Sequence, residues 1–247
     1  MSARVALVTG AGGGLGTVIA AGLHATGYRV ALADLDEVAA TAAAAALDPG
    51  GETALPLGLD VRDKAQWERT LSALLERWGA AHVLVNNAAM TVARPVMEVS
   101  PEEFDAVLAV NLRGTFLGCQ VFGAHFRDRS HGRIVNLASL AGQNGGTATG
   151  AHYAASKAGI VALTKVFARD LAAGGVTVNA IAPGPLDTPM VHRTVPPERM
   201  AALQAAIPVG AIGDPRFVAS LVVQLASPEA AFATGATWDV NGGLYMR

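Results

Sequence analysis

The sequence predicts an α/β fold: one doubly wound domain, with a parallel seven-stranded sheet and helices on both faces. Three observations carry that expectation. Short β-branched runs alternate with longer amphipathic stretches along the 247 residues, the order that sets parallel strands between crossover helices. The first run, Arg4–Thr9, passes directly into the glycine-rich stretch Gly10-Ala11-Gly12-Gly13-Gly14-Leu15-Gly16, and a helical pattern follows. No linker, charge block or low-complexity break divides the chain, so residues 1–247 read as a single domain.

The elements follow in order. Arg4–Thr9 is a buried strand, and a helix runs from about Leu15 to Thr26. Tyr28–Ala33 is the second strand, Glu37–Leu47 an Ala-rich helix and Glu52–Leu57 a weaker third strand. Asp63–Trp78 is helical, with Leu71, Leu74, Leu75 and Trp78 at helical spacing. After a strand at His82–Val85, Ser100-Pro101-Glu102-Glu103 starts a helix with a capping-box glutamate, and that helix extends to about Arg127. Arg133–Ala138 is the fifth strand, Gly142–Gly150 a glycine-rich loop and His152–Ala172 a long helix ended by Gly174-Gly175. Val176–Ile181 is the sixth strand. The proline-rich region 183–215 holds at most a short helix, Glu198–Ala206, before a helix at Phe217–Ala226 and the seventh strand, Thr237–Val240.

Composition limits the function. The chain is 51% hydrophobic and 15% charged with a net charge of −2, which excludes disorder and argues against nucleic acid held by bulk charge. The lone Cys119 excludes an intrachain disulfide and a cysteine metal site, and points to a reducing cytoplasm. The six histidines show no ligand spacing, so no metal is expected; His152 is expected to point away from any site. There is no apolar run of about 18 residues or more, so no membrane partner is expected. The N-terminal residues show no charged leader with an apolar stretch.

Glycines between a strand and a helix let the chain approach a pyrophosphate, and the helix start offers free N–H groups to it. Asp34, with Leu35 after it, closes the second strand, where a carboxylate can accept hydrogen bonds from ribose hydroxyls and repel a 2′-phosphate. Residues 11–17 contain no Arg or Lys, so NAD is favoured over NADP. Tyr153 and Lys157 stand four apart on one helical face, where an ammonium would stabilise a phenolate and lower the tyrosine pKa. Ser139 ends the fifth strand, on the side where ligands bind in such sheets, and could hold a substrate oxygen beside Tyr153.

The spacing Thr9-Gly10-x3-Gly14-x-Gly16, together with Tyr153-x3-Lys157, resembles the short-chain dehydrogenase/reductase family across essentially the whole chain. The resemblance implies a Rossmann-type domain that transfers a hydride between a nicotinamide cofactor and a secondary alcohol or ketone, with Tyr153 as general acid/base. It implies a catalytic tetrad of Asn111, Ser139, Tyr153 and Lys157, with Asn111 distorting its helix and ordering a water toward the lysine. It implies cofactor contacts from Gly10, Gly14, Leu15, Gly16, Asp34 and Leu35, from Asp60-Val61 beside the adenine, and from Asn87-Ala88, Tyr153 and Lys157. Pro183, Gly184, Leu186 and Thr188 would hold the nicotinamide side. Asn86-Asn87-Ala88-Ala89 departs from the family's Asn-Asn-Ala-Gly, and Ala89 would resist a positive φ.

Substrate contacts are expected from Ser139, Leu140, Gln143, Tyr153 and Met190, with residues 185–213 as a substrate-loop segment. An alternative within enzymes is a 3-oxoacyl-thioester reductase of an acyl carrier protein or CoA. An alternative class is a non-catalytic cofactor sensor, which the intact Tyr153 and Lys157 disfavour. The resemblance further implies a homotetramer or homodimer formed through Pro101–Arg127 and His152–Ala172.

Overall fold

Every residue of the first strand, β1 (Val5–Thr9), is buried. Ala6 and Val8 join the core on one face of the sheet, and Val5 and Leu7 join the core on the other. Successive strand side chains alternate, so an apolar run buried on both sides needs a helical layer over each face. The computed structural model describes residues 3–146 and 149–246. The remaining strands are β2 (Arg29–Asp34), β3 (Ala54–Gly58), β4 (Val83–Asn86), β5 (Gly132–Leu137), β6 (Val176–Pro183) and β7 (Thr237–Val240). They form one parallel seven-stranded sheet in the order β3-β2-β1-β4-β5-β6-β7. The chain moves outward from β1 to β3, then returns to place β4 on the other side of β1. That reversal opens a crevice beyond the carboxyl ends of β1 and β4.

On one face, α1 (Gly14–Ala25) packs against α10 (Pro215–Ala226). Ile19 and Leu23 share one buried core with Val218 and Val222, and Gly22 lets Ala219 approach. α2 (Glu37–Leu47) covers the edge of the same face. On the other face, Trp67 of α3 (Lys64–Trp78) meets Phe122 edge-on at 6.0 Å, and Phe122 meets Phe126 at 5.8 Å. Each such contact is worth about 0.5–1.5 kcal/mol beyond burial. Asp63 caps α3 by accepting from the N–H groups of Ala65 and Gln66, and Gly79 ends it at φ +77.

The predicted helix from Pro101 to Arg127 is interrupted. It consists of α4 (Pro101–Leu108), a π-helical turn (Ala109–Arg113) and α5 (Gly114–Asp128). Its length and hydropathy would suffice to cross a membrane; here it lies on the sheet and gives Leu117, Phe122 and Phe126 to the core. The predicted glycine-rich loop starts with a helical turn, α6 (Ala141–Asn144), while Thr147 and Ala148 lie outside the described residues. α7 (Ala151–Leu171) carries Tyr153 and Lys157. The proline-rich region holds α8 (Pro189–Thr194) and α9 (Pro197–Ala206), because Pro189 and Pro197 sit at helix starts, where a missing N–H costs nothing.

Candidate active site

A cavity of about 770 Å³ opens at the carboxyl ends of the central strands. One end of it is built from backbone. Gly10, at φ +64, turns the chain out of β1, and a Cβ there would lie 2.8 Å from the Ala88 Cα. A Cβ on Gly16 would collide with the Gly10 carbonyl oxygen, so Gly16 supports the turn from beneath and does not line the cavity. Gly14, at φ +57, has open space where its Cβ would be. α1 starts there without a side-chain cap and without an acid in its first turn, so free N–H groups and the positive helix end face the cavity that Gly13, Gly14 and Leu15 line.

Side chains at this end secure the backbone. Asp34 Oδ2 accepts from the Gly12 N–H at 2.9 Å, and Oδ1 accepts from the Asp36 N–H at 3.1 Å. Asn87 Nδ2 donates to the carbonyls of Thr9 and Gly10, while Thr9 Oγ1 accepts from the N–H groups of Asn87 and Ala88. These bonds tie β1 to β4 at the crevice. Asp60 pairs with Arg62 at 2.6 Å, and the guanidinium holds its carboxyl below the usual carboxylate range. Leu35 and Val61 complete this part of the wall.

At the other end the wall holds buried polar side chains. Tyr153 and Lys157 lie one turn apart on α7, at 8% and 3% exposure. The Lys157 Nζ donates to the Leu137 carbonyl at 2.6 Å and stands 5.6 Å from the centre of the Tyr153 ring. The Ser139 hydroxyl is hydrogen-bonded to Tyr153 and accepts from the Ala141 N–H at 3.1 Å. Burial pushes the Tyr153 phenol up from its ordinary value, and the Ser139 bond partly opposes that. Burial pushes Lys157 down to about 8. The expectation that the Lys157 ammonium lowers the Tyr153 pKa is therefore corrected: burial is the largest influence and raises it, with the Ser139 bond opposing.

Asn111 is fully buried in the π-helical turn. Its Oδ1 accepts from the Met90 N–H at 2.8 Å, and its Nδ2 donates to the Met90 carbonyl at 2.9 Å and to Ser156 Oγ at 3.0 Å. Its own carbonyl accepts from Thr115 Oγ1. The side chain thus fixes the cavity wall at Met90 and α7 at Ser156; it does not line the cavity itself.

A family model described as enoyl-(acyl carrier protein) reductase matches residues 10–245. The chain is 39% identical to a 3-oxoacyl-[acyl-carrier-protein] reductase of Vibrio cholerae over 246 residues, covering 100% of this chain and 99% of the relative. It is 35% identical to a sorbitol dehydrogenase of Cereibacter sphaeroides, covering 100% and 99%, and 38% identical to a (3R)-3-hydroxyacyl-CoA dehydrogenase of Mus musculus, covering 100% and 98%. The chain belongs to the short-chain dehydrogenase/reductase family. Its members are oxidoreductases that use nicotinamide cofactors.

As a member of that family, the chain fits a dinucleotide by its own geometry: the Gly14 opening and the uncapped helix start could receive an anion. Pro183, Gly184, Leu186 and Thr188 line the same cavity from the end of β6. Gly184 is close-packed, since a Cβ there would lie 2.9 Å from the Asn241 Cα. Met190, Val191 and Arg193 of α8 form the outer wall. Leu140 is buried and Gln143 donates to Asp239 at 2.5 Å; neither lines the cavity. Ala89 lines it without a positive φ, for among the described residues only Ser130 is a non-glycine with one. Sequence reasoning missed Arg62, Met90 and Val110 in the wall. Met90 follows directly on the Asn-Asn-Ala-Ala stretch and could have been found from it; Val110 depends on the π-helical turn, which gives no sequence signal beyond Asn111.

Proposed function

We propose that this chain is an NAD(H)-dependent dehydrogenase/reductase that interconverts a secondary alcohol and a ketone, with Tyr153 as general acid/base. The observation that carries the reading is that one cavity contains both Asp34 and the Ser139–Tyr153–Lys157 group. When bound, the nicotinamide supplies the acceptor or donor of the hydride. In reduction, Tyr153 Oη gives its proton to the carbonyl oxygen, while Ser139 Oγ donates a hydrogen bond to that oxygen. In oxidation, Tyr153 takes the proton from the alcohol.

Preference for NAD rests on Asp34. Its carboxylate lines the cavity and is already oriented by two backbone N–H groups, so a 2′-phosphate beside it would be repelled. Arg62 lines the cavity too, but its charge is paired with Asp60. Reduction of a 3-oxoacyl thioester is a second reading, favoured by what the Vibrio cholerae and mouse relatives are named for. A panel of secondary alcohols, ketones and a 3-oxoacyl-CoA, assayed with NAD(H) and NADP(H), tests both readings. Turnover of ketones with NADH is expected. Equal or faster turnover with NADPH overturns the cofactor assignment, and turnover of the thioester alone replaces the first reading with the second.

A further inference from the structure

Glu103 occupies the capping-box position of α4, and Ser100 Oγ accepts from its N–H at 3.2 Å. Its carboxylate is engaged elsewhere. Arg94 Nε donates to its two oxygens at 2.9 and 2.8 Å, and His152 Nε2 reaches Oε1 at 3.1 Å. His152 is fully buried, and its Nδ1 accepts from the Tyr153 N–H at 2.9 Å. Because Nδ1 accepts here, the ring hydrogen that points at Glu103 sits on Nε2. Room for the ring comes from Gly150, where a Cβ would collide with His152 Cε1.

The other side of Tyr153 is held in parallel. Its carbonyl accepts from Ser156 Oγ at 2.7 Å, and that Oγ accepts from Asn111 Nδ2. Both backbone polar atoms of Tyr153 are thus engaged by buried side chains, His152 and Ser156. Both of those are tied to the segment of α4 and the π-helical turn, through Glu103 and Asn111. The loop after β4 is fastened to the same segment, at Arg94 and at Met90.

We propose that Glu103 and His152 are positioning residues that lock the first turn of α7 against α4, so that the Tyr153 phenol is presented to Ser139 at one fixed depth. This rests on the reading of Tyr153 as the proton-transferring group. Without the acceptor at Glu103, the buried Nε2–H has no partner, the ring can rotate, and the Tyr153 N–H keeps only its 3.1 Å bond to the Gly150 carbonyl.

Glu103→Met keeps the volume and removes the acceptor. Its kcat should fall about ten- to hundredfold, as expected for a misplaced reacting group. KM and the dissociation constant for NAD, measured by calorimetry, should stay within about twofold, since uniform binding is untouched. Hydrogen exchange at the Tyr153 amide should accelerate. Glu103→Gln retains Oε1 for both donors and should restore kcat to within about threefold of wild type. Arg94→Met, at the exposed end of the chain, should shift kcat in the same direction by less; it carries the test if Glu103→Met does not fold, and wild-type kcat in it then overturns the proposal. The proposal is also overturned if Glu103→Met keeps wild-type kcat, or if Glu103→Gln loses as much as Glu103→Met. Tyr153→Phe, run beside them, separates the two failures. An active Tyr153→Phe removes the reading of the site and the proposal with it, whereas an inactive one beside an active Glu103→Met removes the positioning role alone.

Discussion

The two ends of the cavity are made in different ways. At the nucleotide end a glycine turn and an uncapped helix start face the opening, and the side chains beside them, Asp34 and Asn87, line the cavity while their hydrogen bonds hold that main chain in shape. At the chemical end Tyr153 and Lys157 stand in the cavity wall almost without solvent. A cradle of backbone dipoles binds by fixed geometry and does not titrate. A pair of desolvated side chains has perturbed proton affinities, as the shift of Lys157 to about 8 shows. On the proposed reading, binding and proton transfer rest on different physics, and the variants below test whether each is lost without the other.

The largest expected effect breaks the chemical end alone. Tyr153→Phe deletes one oxygen from a buried ring and should lower kcat by about 10²–10⁴-fold, the range for loss of a positioned acid or base. NAD binding, measured by calorimetry, should change by less than about threefold, because the cradle atoms at Gly10 and Gly14 are untouched. A parallel loss of NAD affinity would mean that the two ends are one coupled unit.

A change at the nucleotide end should do the reverse. Asp34→Asn keeps one oxygen for the Gly12 N–H but loses the charge that would take ribose hydroxyls and repel a phosphate. A hydrogen bond to a charged group is worth about 1.5–3 kcal/mol, so the ratio of kcat/KM for NAD over NADP should fall about ten- to hundredfold. The kcat at saturating NAD should stay near wild type. An unchanged ratio would show that cofactor preference is set elsewhere in the wall, with Arg62 the first place to look.

The same contrast explains what was legible in the sequence. The backbone end depends on local conformation, and Gly10, Gly14 and Gly16 declare that conformation directly between a strand and a helix. The alternation of apolar runs likewise gave the sheet, and Glu37–Leu47 and Thr237–Val240 fall where their periodicity places them. Ala89 looked troublesome only because the family motif has glycine there; its φ is ordinary, so the substitution leaves no strain. The chemical end depends on contacts between distant segments. Asn111 as a clamp on Met90, and Glu103 turned from its own helix cap to His152, involve partners 21 and 49 residues apart and have no local signature. Burial of Tyr153 and Lys157 is a property of the assembled layers, so their spacing revealed the pairing but not the desolvation that raises the phenol.

The smallest expected effect sharpens the comparison through stability. The Lys157 ammonium has an ordinary value of 10.5 and is pushed by burial to about 8 in the fold. Between those two values the unfolded chain holds a proton that the folded chain has released, so stability rises with pH across that window. Below it both states are protonated, and the full penalty of burying the charge is present, an upper bound of about 3 kcal/mol. Lys157→Met removes that penalty and also the hydrogen bond to the Leu137 carbonyl, worth about 1 kcal/mol. Urea unfolding at pH 7 should therefore find the variant about 1–2 kcal/mol more stable than wild type while turnover collapses. The advantage should shrink as the pH is raised through the window and turn into a deficit of about 1 kcal/mol above it, where only the lost Leu137 bond separates the two. A variant less stable at pH 7 would mean that the Leu137 bond more than offsets desolvation, and that the lysine helps hold the chemical end together; a pH-independent difference would place the ammonium in better-solvated surroundings than its burial implies.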